Sequence, residues 1–403
     1  MLSYISVKNL RSIKKGKVET APLTILYGPN GSGKSTLMHA LAIFRNIVLN
    51  PNQPVDNFFN LGFASFGGFE QVVFNHNPDE QIELKIGVVH DSTQVTYGVS
   101  LSKKNGRFEL RVEKPWNITL EIETPLPYPT NQQKTVTVKH EKTSFTINWN
   151  GILTQVTSET EGPEAGKTAQ ELATVLNSPV ETLRRSDFVH LKRGFSKPHY
   201  GTVSLTPTIF TEDEIATLLA NNLYLESTIS HYLEQIFQRD LRVRLTPGTN
   251  LFWLNTTDKA TGLPTELVND GFGINQVVYL LAKSLRSDTS VVCIEEPEIH
   301  LHPKALRNLA YALIGLVKEE QKTMVISTHS EHFVLALLGA VSKGELNLDE
   351  ISCYLSTKDK KRSKFERQLV NADGQVEGGL TSFMEGELKD LKDILKVSKK
   401  EGN

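Results

Sequence analysis

The clearest chemical signature in the sequence is a glycine-rich run, GPNGSGKST, at residues 28–36. It satisfies the P-loop (Walker A) pattern G-x-x-x-x-G-K-[ST], follows an apolar run and opens a segment with apolar residues at helical spacing. Glycines let backbone N–H groups approach phosphates, and the helix N-terminus adds positive potential. We expect Lys34 to reach the β- and γ-phosphates of ATP and Ser35 to offer its hydroxyl to Mg²⁺. The expected nucleotide-binding residues of this run are Gly28, Asn30, Gly31, Ser32, Gly33, Lys34, Ser35 and Thr36.

Two adjacent carboxylates follow a second apolar run. Residues 291–294 are apolar, and Glu295 and Glu296 come directly after them. Because strand interiors avoid glutamate, acids at the end of a core strand indicate a cation nearby. In this Walker B interpretation Glu295 orients the Mg²⁺ shell, and Glu296 positions or deprotonates the water that attacks the γ-phosphate. The alternative is a solvated strand end with helix-capping acids, which the P-loop makes the minority interpretation.

A third apolar run, residues 324–326, leads to a polar tip that carries His329. A lone histidine is more often a surface or core residue than a catalytic one. Its place at the end of the next strand favours a hydrogen bond to the γ-phosphate. The loop after the acids contains His300 and His302 without a nearby thiol, so its spacing is that of a poor zinc site.

Gly271 and Gly273 open a further predicted helix about twenty residues before the acidic strand. Two glycines at a helix N-terminus form an anion site, although glycine-rich N-caps are also common for purely structural reasons. The position of this segment indicates the part that contacts the nucleotide of a partner subunit.

The order of predicted elements indicates an α/β fold. Six period-two runs between about 80 and 150 predict an antiparallel sheet, and alternating strands and helices from 240 onward predict a mostly parallel core sheet. The predicted divisions are an N-terminal lobe 1–154, an inserted, mainly helical subdomain 155–238, a C-terminal lobe 239–345 and a tail 346–403. We also predict a charged helix near 380–397.

Composition excludes several classes of protein. Over 403 residues the hydrophobic and charged fractions are 39% and 22%, which are ordinary values for a globular chain. A net charge of −2 gives no overall attraction to nucleic acid or membrane. Cys293 and Cys353 are too few for a disulfide framework, and no signal peptide or membrane span is recognisable. These features predict a cytoplasmic protein that does not span a membrane.

The ordered set of P-loop, glycine-rich segment, E-E-P-E-x-H-L-H-P and S-T-H-S resembles the ABC-type ATPases of the SMC and OLD group. It is most similar to the short stand-alone branch described as AAA-15/AAA-21-like, and the opening ISVKNLRSIKKGKVETAPLTILYGPNGSGKST matches the usual start of that group. The matching segments cover roughly a third of the chain. The resemblance implies a P-loop NTPase head of the ABC type, with ATP and Mg²⁺ as ligands.

The resemblance also implies a homodimer that closes around ATP. Its P-loop and acids would face the glycine-rich segment of the other copy, where the implied contacts are Gly271, Gly273 and Asn275. It implies that His329 acts within its own subunit, that Arg11 reaches the nucleotide, and that a glutamine, with Gln71 as the candidate, joins the Mg²⁺ shell.

The sequence departs from the family pattern in three respects. Glu295 replaces the more usual aspartate, and the segment near Gly271 lacks the expected serine, so that role would fall to backbone N–H groups or Asn275. Slow catalysis is expected as a result. No long heptad segment is present, and the tail shows no clustered acidic motif of the TOPRIM nuclease kind. We therefore do not expect this chain itself to cleave nucleic acid.

Four functions fit this sequence. The first is a regulatory ATPase that controls a separately encoded effector, expected to be a nuclease in a prokaryotic anti-phage system, an assignment that rests on family analogy. The second is a DNA-binding or repair ATPase that contacts phosphates through the region of Lys14 and a basic run, Lys358, Lys360, Lys361, Arg362 and Lys364, although a solvated loop is the favoured explanation of that run. A nucleotide-gated scaffold and a transporter subunit are less favoured.

Overall fold

The computed structural model describes residues 1–129, 133–140, 143–160, 162–206, 211–377 and 379–380. The charged helix predicted near 380–397 therefore lies almost wholly outside the described residues. The strands are β1 Leu2–Leu10, β2 Ile13–Glu19, β3 Leu23–Tyr27, β4 Ile82–His90, β5 Thr93–Leu101, β6 Asn105–Val112, β7 Ile118–Pro125, β8 Lys134–His140, β9 Thr143–Trp149, β10 Thr154–Ser158, β11 Ser186–Val189, β12 Tyr200–Gly201, β13 Arg239–Leu245, β14 Leu251–Asp258, β15 Pro264–Glu266, β16 Val291–Glu295, β17 Thr323–Thr328, β18 Ile351–Asp359 and β19 Arg362–Gln368.

The helices complete the set of elements. They are α1 Lys34–Leu49, α2 Phe69–Val72, α3 Pro163–Arg184, α4 Glu212–Ala220, α5 Leu223–Phe237, α6 Phe272–Ser284, α7 Pro303–Lys318 and α8 Glu331–Ser342, with short 3₁₀ turns at Val55–Phe59, Phe74–His76 and Leu267–Asn269.

A six-stranded core sheet, in the order β11-β16-β17-β3-β18-β19, carries the predicted motifs. All neighbouring pairs are parallel except β18 and β19, which form an antiparallel hairpin. The register places Glu295 opposite Ser327, and Ser327 opposite Leu26. Because parallel strands end at the same edge, the P-loop, the acidic pair and His329 meet there. The predicted mostly parallel α/β core is confirmed.

Both faces of the core sheet are covered, which explains why its central strands are almost entirely apolar. Alternate residues enter two different hydrophobic clusters: Cys293 belongs to one, and Val292 and Ile294 belong to the other. The first cluster includes α1, α3 and the N-terminal sheet, and the second includes α5, α6, α7 and α8. Helix α1 is thus clamped between the two sheets.

The period-two runs form antiparallel strands, but they divide between two sheets. Strands β4 to β7 extend the hairpin of β1 and β2 into a six-stranded sheet, whereas β8, β9 and β10 form a separate three-stranded sheet. The break falls at the connection after β7, where Pro125, Pro127 and Pro129 stand at alternate positions. Proline has no N–H for a strand ladder, so pairing cannot continue through this segment.

The range 155–238 contains three helices, α3, α4 and α5, in agreement with its predicted helical character. It also contains β11, which pairs in parallel with β16 and forms an edge of the core sheet. Part of this range therefore belongs to the core, and the division at 155 and 238 stays a prediction. Strands β12 to β15 form a further small antiparallel sheet. No helix of the described residues is long and apolar enough to cross a bilayer.

Candidate functional site

The P-loop between β3 and α1 is packed directly against the β18–β19 hairpin. Gly28 has a φ of 133°, and a Cβ atom there would lie 2.2 Å from the carbonyl oxygen of Ser356. At Gly33, with a φ of 101°, a Cβ atom would lie 2.3 Å from Ser363 Oγ. Only glycine satisfies both the left-handed backbone and this close approach. The β18–β19 hairpin therefore restricts the backbone conformation of the P-loop.

Lys34 begins helix α1 and is almost fully buried, with 5% of its surface exposed. Its ammonium group donates hydrogen bonds to the carbonyl oxygens of Gly28 at 2.9 Å and Pro29 at 3.0 Å. Burial lowers the pKa of Lys34 to about 8, against the opposing fields of Glu296 and Glu298. The loop thus holds a cation at its centre, where a phosphate would lie.

A cleft of about 680 Å³ opens beside this cation. Most of the predicted P-loop residues line it, together with Arg11, Gln71, Glu296, His329 and Lys358. The cleft therefore collects predicted residues from six separate stretches of chain.

Two of the three predicted Mg²⁺ ligands, Ser35 and Glu295, are neighbours, although only Ser35 lines the cleft and Glu295 is buried. The Glu295 carboxylate also lies 3.2 Å from Nε2 of His39. Burial alone would raise the pKa of Glu295, but the hydrogen bonds from His39 and Ser35 outweigh it, and the pKa is lowered. Mg²⁺ is usually bound by one or two protein oxygens together with substrate phosphates, and this pair fits that requirement.

Glu296 and His329 form a second pair at the mouth of the cleft. His329 Nε2 lies 3.4 Å from the Glu296 carboxylate. The hydrogen bond from His329 lowers the pKa of Glu296, with burial acting in the opposite direction. The backbone of Glu296 is left-handed, with a φ of 42°, and its N–H donates to Ser327 O at 2.8 Å. A strained backbone at such a position is typical of functional sites.

Arg193, which the sequence patterns did not single out, holds this strained turn. Its buried guanidinium donates to the carbonyl oxygens of Glu295 at 2.6 Å and Glu296 at 2.7 Å. Burial lowers the pKa of Arg193 to about 10, with the nearby Glu298 opposing that shift. Arg193 lies in the short run LKRGFS, which has no recognisable periodicity, so only the fold reveals its position.

Glu298 joins the two strand ends. One oxygen of its carboxylate accepts hydrogen bonds from Thr328 Oγ1 at 2.9 Å and from the His329 N–H at 2.6 Å. Position 298 is the third acid of the E-E-P-E motif, and the motif alone does not separate its role from that of the other two. The structure assigns it to positioning His329.

Arg11 and Gln71 enter the cleft from the N-terminal lobe. The Arg11 guanidinium lies 5.0 Å from the Phe66 ring centroid, and burial lowers its pKa while Glu295 opposes that shift. Gln71 uses its side-chain oxygen to accept a hydrogen bond from Gly68 N at 2.9 Å. Both residues remain candidates, Arg11 for nucleotide and Gln71 for Mg²⁺.

The glycine-rich segment at the start of α6 lies outside the cleft of its own subunit. Gly271 has open space around it, with a φ of 88°, and Phe272 is 76% exposed. Asn275 lies elsewhere: it is buried, and its amide exchanges hydrogen bonds with Phe195 N at 2.7 Å and Phe195 O at 2.8 Å. Because this side chain is engaged inside the fold, we correct the prediction that Asn275 contacts a nucleotide. Backbone N–H groups of the segment remain available.

The close approach behind the P-loop predicts that Gly28→Ala is costly. We expect the variant to lose about 2 kcal/mol or more of unfolding free energy, because the new methyl group adds a clash to the backbone strain. The matched control is Gly31→Ala, where φ is 72° but no atom lies within 4 Å of the new group. It should lose only about 1 kcal/mol. Urea unfolding of both variants measures the difference, and equal losses would contradict the packing argument.

The Glu298 carboxylate predicts a graded response to substitution. Glu298→Ala leaves the His329 N–H without its acceptor and should lower the unfolding free energy by about 1–3 kcal/mol. Glu298→Gln retains an oxygen in the same place and should lose less. Chemical denaturation of the two variants tests this order, and a larger loss for glutamine than for alanine would refute it.

Comparisons with known proteins agree with this geometry. A family model described as "AAA domain, putative AbiEii toxin, Type IV TA system" matches residues 23–336. The OLD nuclease of Thermus scotoductus is 23% identical over 359 residues, an alignment that covers 83% of this chain and 60% of that protein. The chain thus spans less than two thirds of the length of this relative.

Solved SMC heads show a more distant likeness. The SMC head domain from Thermotoga maritima is 11% identical with a TM-score of 0.45, covering 91% of this chain and 98% of that one. The Pyrococcus furiosus Smc head with an extended coiled coil, bound to the C-terminal domain of ScpA, is 10% identical with a TM-score of 0.46, covering 98% and 99%.

The family model covers most of the chain, from the first core strand to α8, and so includes the P-loop, both acids and His329. Together with the OLD nuclease relative it confirms the resemblance that the ordered motifs indicated. The chain therefore belongs to this AAA-domain family, and its sequence is similar to that of an OLD nuclease.

Proposed function

We propose that this protein binds ATP and Mg²⁺ between two copies of itself, hydrolyses the ATP, and uses that cycle to control a separate effector. The observation that carries the proposal is the meeting of two polar pairs, Ser35 with Glu295 and Glu296 with His329, beside the Lys34 ammonium. Each pair comes from distant parts of the sequence, so their convergence is a property of the fold.

In this proposal the P-loop binds the phosphates. Its backbone N–H groups and the N-terminus of α1 surround the β-phosphate, and Lys34 exchanges its two carbonyl partners for phosphate oxygens. Ser35 and Glu295 hold Mg²⁺, directly or through its water shell. When bound, the ion neutralises charge on the phosphates.

Glu296 is the proposed general base. Because its pKa is lowered, the carboxylate is ionised near neutral pH and can accept a proton from water. The water oxygen attacks the γ-phosphorus as the bond to the β–γ bridging oxygen breaks, giving ADP and phosphate. His329 lies within reach of the Glu296 carboxylate and would hydrogen-bond the γ-phosphate. Arg193 and Glu298 hold these two groups in place through backbone contacts.

A second copy completes the site. The open, glycine-rich N-terminus of α6 is at the surface and outside the cleft of its own subunit, as a contact to a partner's nucleotide requires. The segment near Gly271 lacks the expected serine, so backbone N–H groups at residues 271–273 would supply the hydrogen bonds. Dimer closure would then depend on ATP.

The last part of the proposal concerns the identity of the effector. We suggest a separately encoded nuclease, in an anti-phage role, because the OLD relative is named as a nuclease. Such coupling requires that the effector bind the open and closed dimers unequally. The two free, buried cysteines fit a reducing compartment, and we place the protein in the cytoplasm.

We expect Glu296→Gln to trap the ATP-bound dimer. Turnover should fall by about 10²-fold or more, because the amide cannot accept a proton, while binding is retained. Phosphate release and light scattering with ATP and Mg²⁺ measure the two effects. Glu171→Gln, an exposed substitution on α3, is the matched control and should behave as wild type. A fully active Glu296→Gln would remove Glu296 from the mechanism, and ATP binding without turnover in wild type would indicate a nucleotide-gated scaffold.

One observation favours DNA as a second ligand. The β18–β19 hairpin carries five cations between positions 358 and 364, and Lys358 also lines the nucleotide cleft. The hairpin contacts the P-loop through a hydrogen bond from Ser356 Oγ to Ser32 O at 2.9 Å. DNA bound to this hairpin would therefore lie beside the nucleotide.

If the hairpin binds DNA, replacing Lys360 and Lys361 with alanine should weaken binding to duplex DNA. The number of counterions released on binding, which sets the salt dependence, should fall by up to two. Fluorescence anisotropy at several salt concentrations measures both quantities. The control replaces Lys134 and Lys139 on β8 with alanine, which removes the same charge elsewhere. Equal effects of the two pairs would show that only net charge matters.

A further inference from the structure

Arg45, on helix α1, is a buried arginine: only 7% of its surface is exposed. Among the described residues its Nε is buried without a hydrogen-bonding partner. Two other buried arginines have acceptors: the terminal nitrogens of Arg193 donate to backbone carbonyls, although its Nε has no partner, and Arg286 donates to carboxylates. Burying an unpaired charge is costly unless something neutralises or solvates it.

The nearest candidate partner is already used. Asp187, on β11, lies beside the same cavity, but one of its oxygens is 2.9 Å from Lys283 Nζ and the other is 3.0 Å from Arg286. The N–H of Phe188 also donates to it at 2.7 Å. Arg286 is also paired with Asp288, at 2.6 Å. Three cations, Arg45, Lys283 and Arg286, therefore share two carboxylates, and one positive charge is in excess.

A small cavity of about 80 Å³ adjoins the Arg45 guanidinium. A water molecule occupies about 30 Å³ in the liquid, so the cavity has room for a group of a few heavy atoms. Asn60 and Asn46 add polar groups to its wall, and Leu49 and Phe63 make the remainder apolar. A planar guanidinium facing such a space suits two oxygen atoms of one ligand.

We propose that this cavity binds a small oxyanion, a carboxylate or a phosphate group, through the Arg45 guanidinium. The oxyanion supplies the charge that Asp187 cannot and joins α1 to the edge strand β11.

The proposed site is separate from the nucleotide cleft. Arg45 is eleven residues beyond Lys34 on the same helix, which places it about 16 Å along the axis. Arg45 and Asp187 do not line the cleft, and no cleft-lining residue lines the cavity. Strand β11 pairs with β16, which ends at Glu295. An oxyanion here would therefore contact α1, which begins at the P-loop, and β11, which is the neighbour of the acid-bearing strand β16.

The test measures binding of inorganic phosphate and of acetate to the full chain, with sodium chloride used to keep the ionic strength constant. Isothermal titration gives affinity, and the unfolding midpoint gives stabilisation, which we expect to be about 2 °C at ten times the dissociation constant. Because phosphate can also bind the P-loop, each titration is repeated in Lys34→Met.

The proposal expects binding to persist in Lys34→Met and to weaken more than about tenfold in Arg45→Met, since a charge-assisted hydrogen-bond pair is lost. Arg184→Met, an exposed substitution on α3, is the matched control and should bind as wild type. Arg45→Gln replaces Arg45→Met if the latter fails to fold. Binding of either anion at this site supports the proposal. The relative affinity for phosphate and acetate identifies whether the natural ligand is a phosphate or a carboxylate.

Two results would overturn the proposal. Loss of all phosphate binding in Lys34→Met, with no response to acetate, would assign the anion to the P-loop alone. An equal response of wild type and Arg45→Met to both anions would show that the cavity holds only water. Neither outcome depends on whether the protein hydrolyses ATP.

Discussion

The parallel pairing of β3, β17 and β16 is the constraint on which the candidate site depends. These strands are separated by more than two hundred residues of chain between β3 and β16, yet their carboxyl ends lie at one edge of one sheet. The residues that follow them, the P-loop, the acids and His329, can meet only because the three strands share a direction and a register. A shift of one residue in that register would turn Glu295 toward the opposite face.

The same edge is secured by contacts that are not themselves part of the proposed chemistry. Arg193 binds the carbonyl oxygens of both acids, Glu298 binds the tip that carries His329, and His39 contacts the Glu295 carboxylate. Each contact links two elements that are distant in sequence. Together they keep a left-handed backbone at Glu296 that the local sequence would not adopt alone. Groups with so little freedom are suited to chemistry, because their geometry is fixed before a ligand binds.

Burial has opposite consequences at the two ends of α1. At its N-terminus Lys34 is buried but is satisfied by carbonyl groups that a phosphate can replace. Near its C-terminus Arg45 is buried beside other cations, and its Nε has no acceptor among the residues that the structure describes. Helix α1 thus carries two buried cations. Lys34 has carbonyl partners that a phosphate can replace, whereas Arg45 has a nitrogen that still needs an acceptor. This contrast connects the proposed nucleotide site with the proposed oxyanion site through a single rigid element.

The AAA-domain family and the main chemical groups were predictable from the sequence, because a P-loop and strand-terminal acids are local patterns that a short segment contains in full. It also indicated the parallel core through apolar runs, since strands buried on both faces need them. Tertiary structure decided what depends on distant contacts: the roles of Arg193 and Glu298, the enclosure of Asn275 against Phe195, and the division of the antiparallel strands into two sheets. Such features depend on which residues become neighbours, and spacing along one segment does not contain that information.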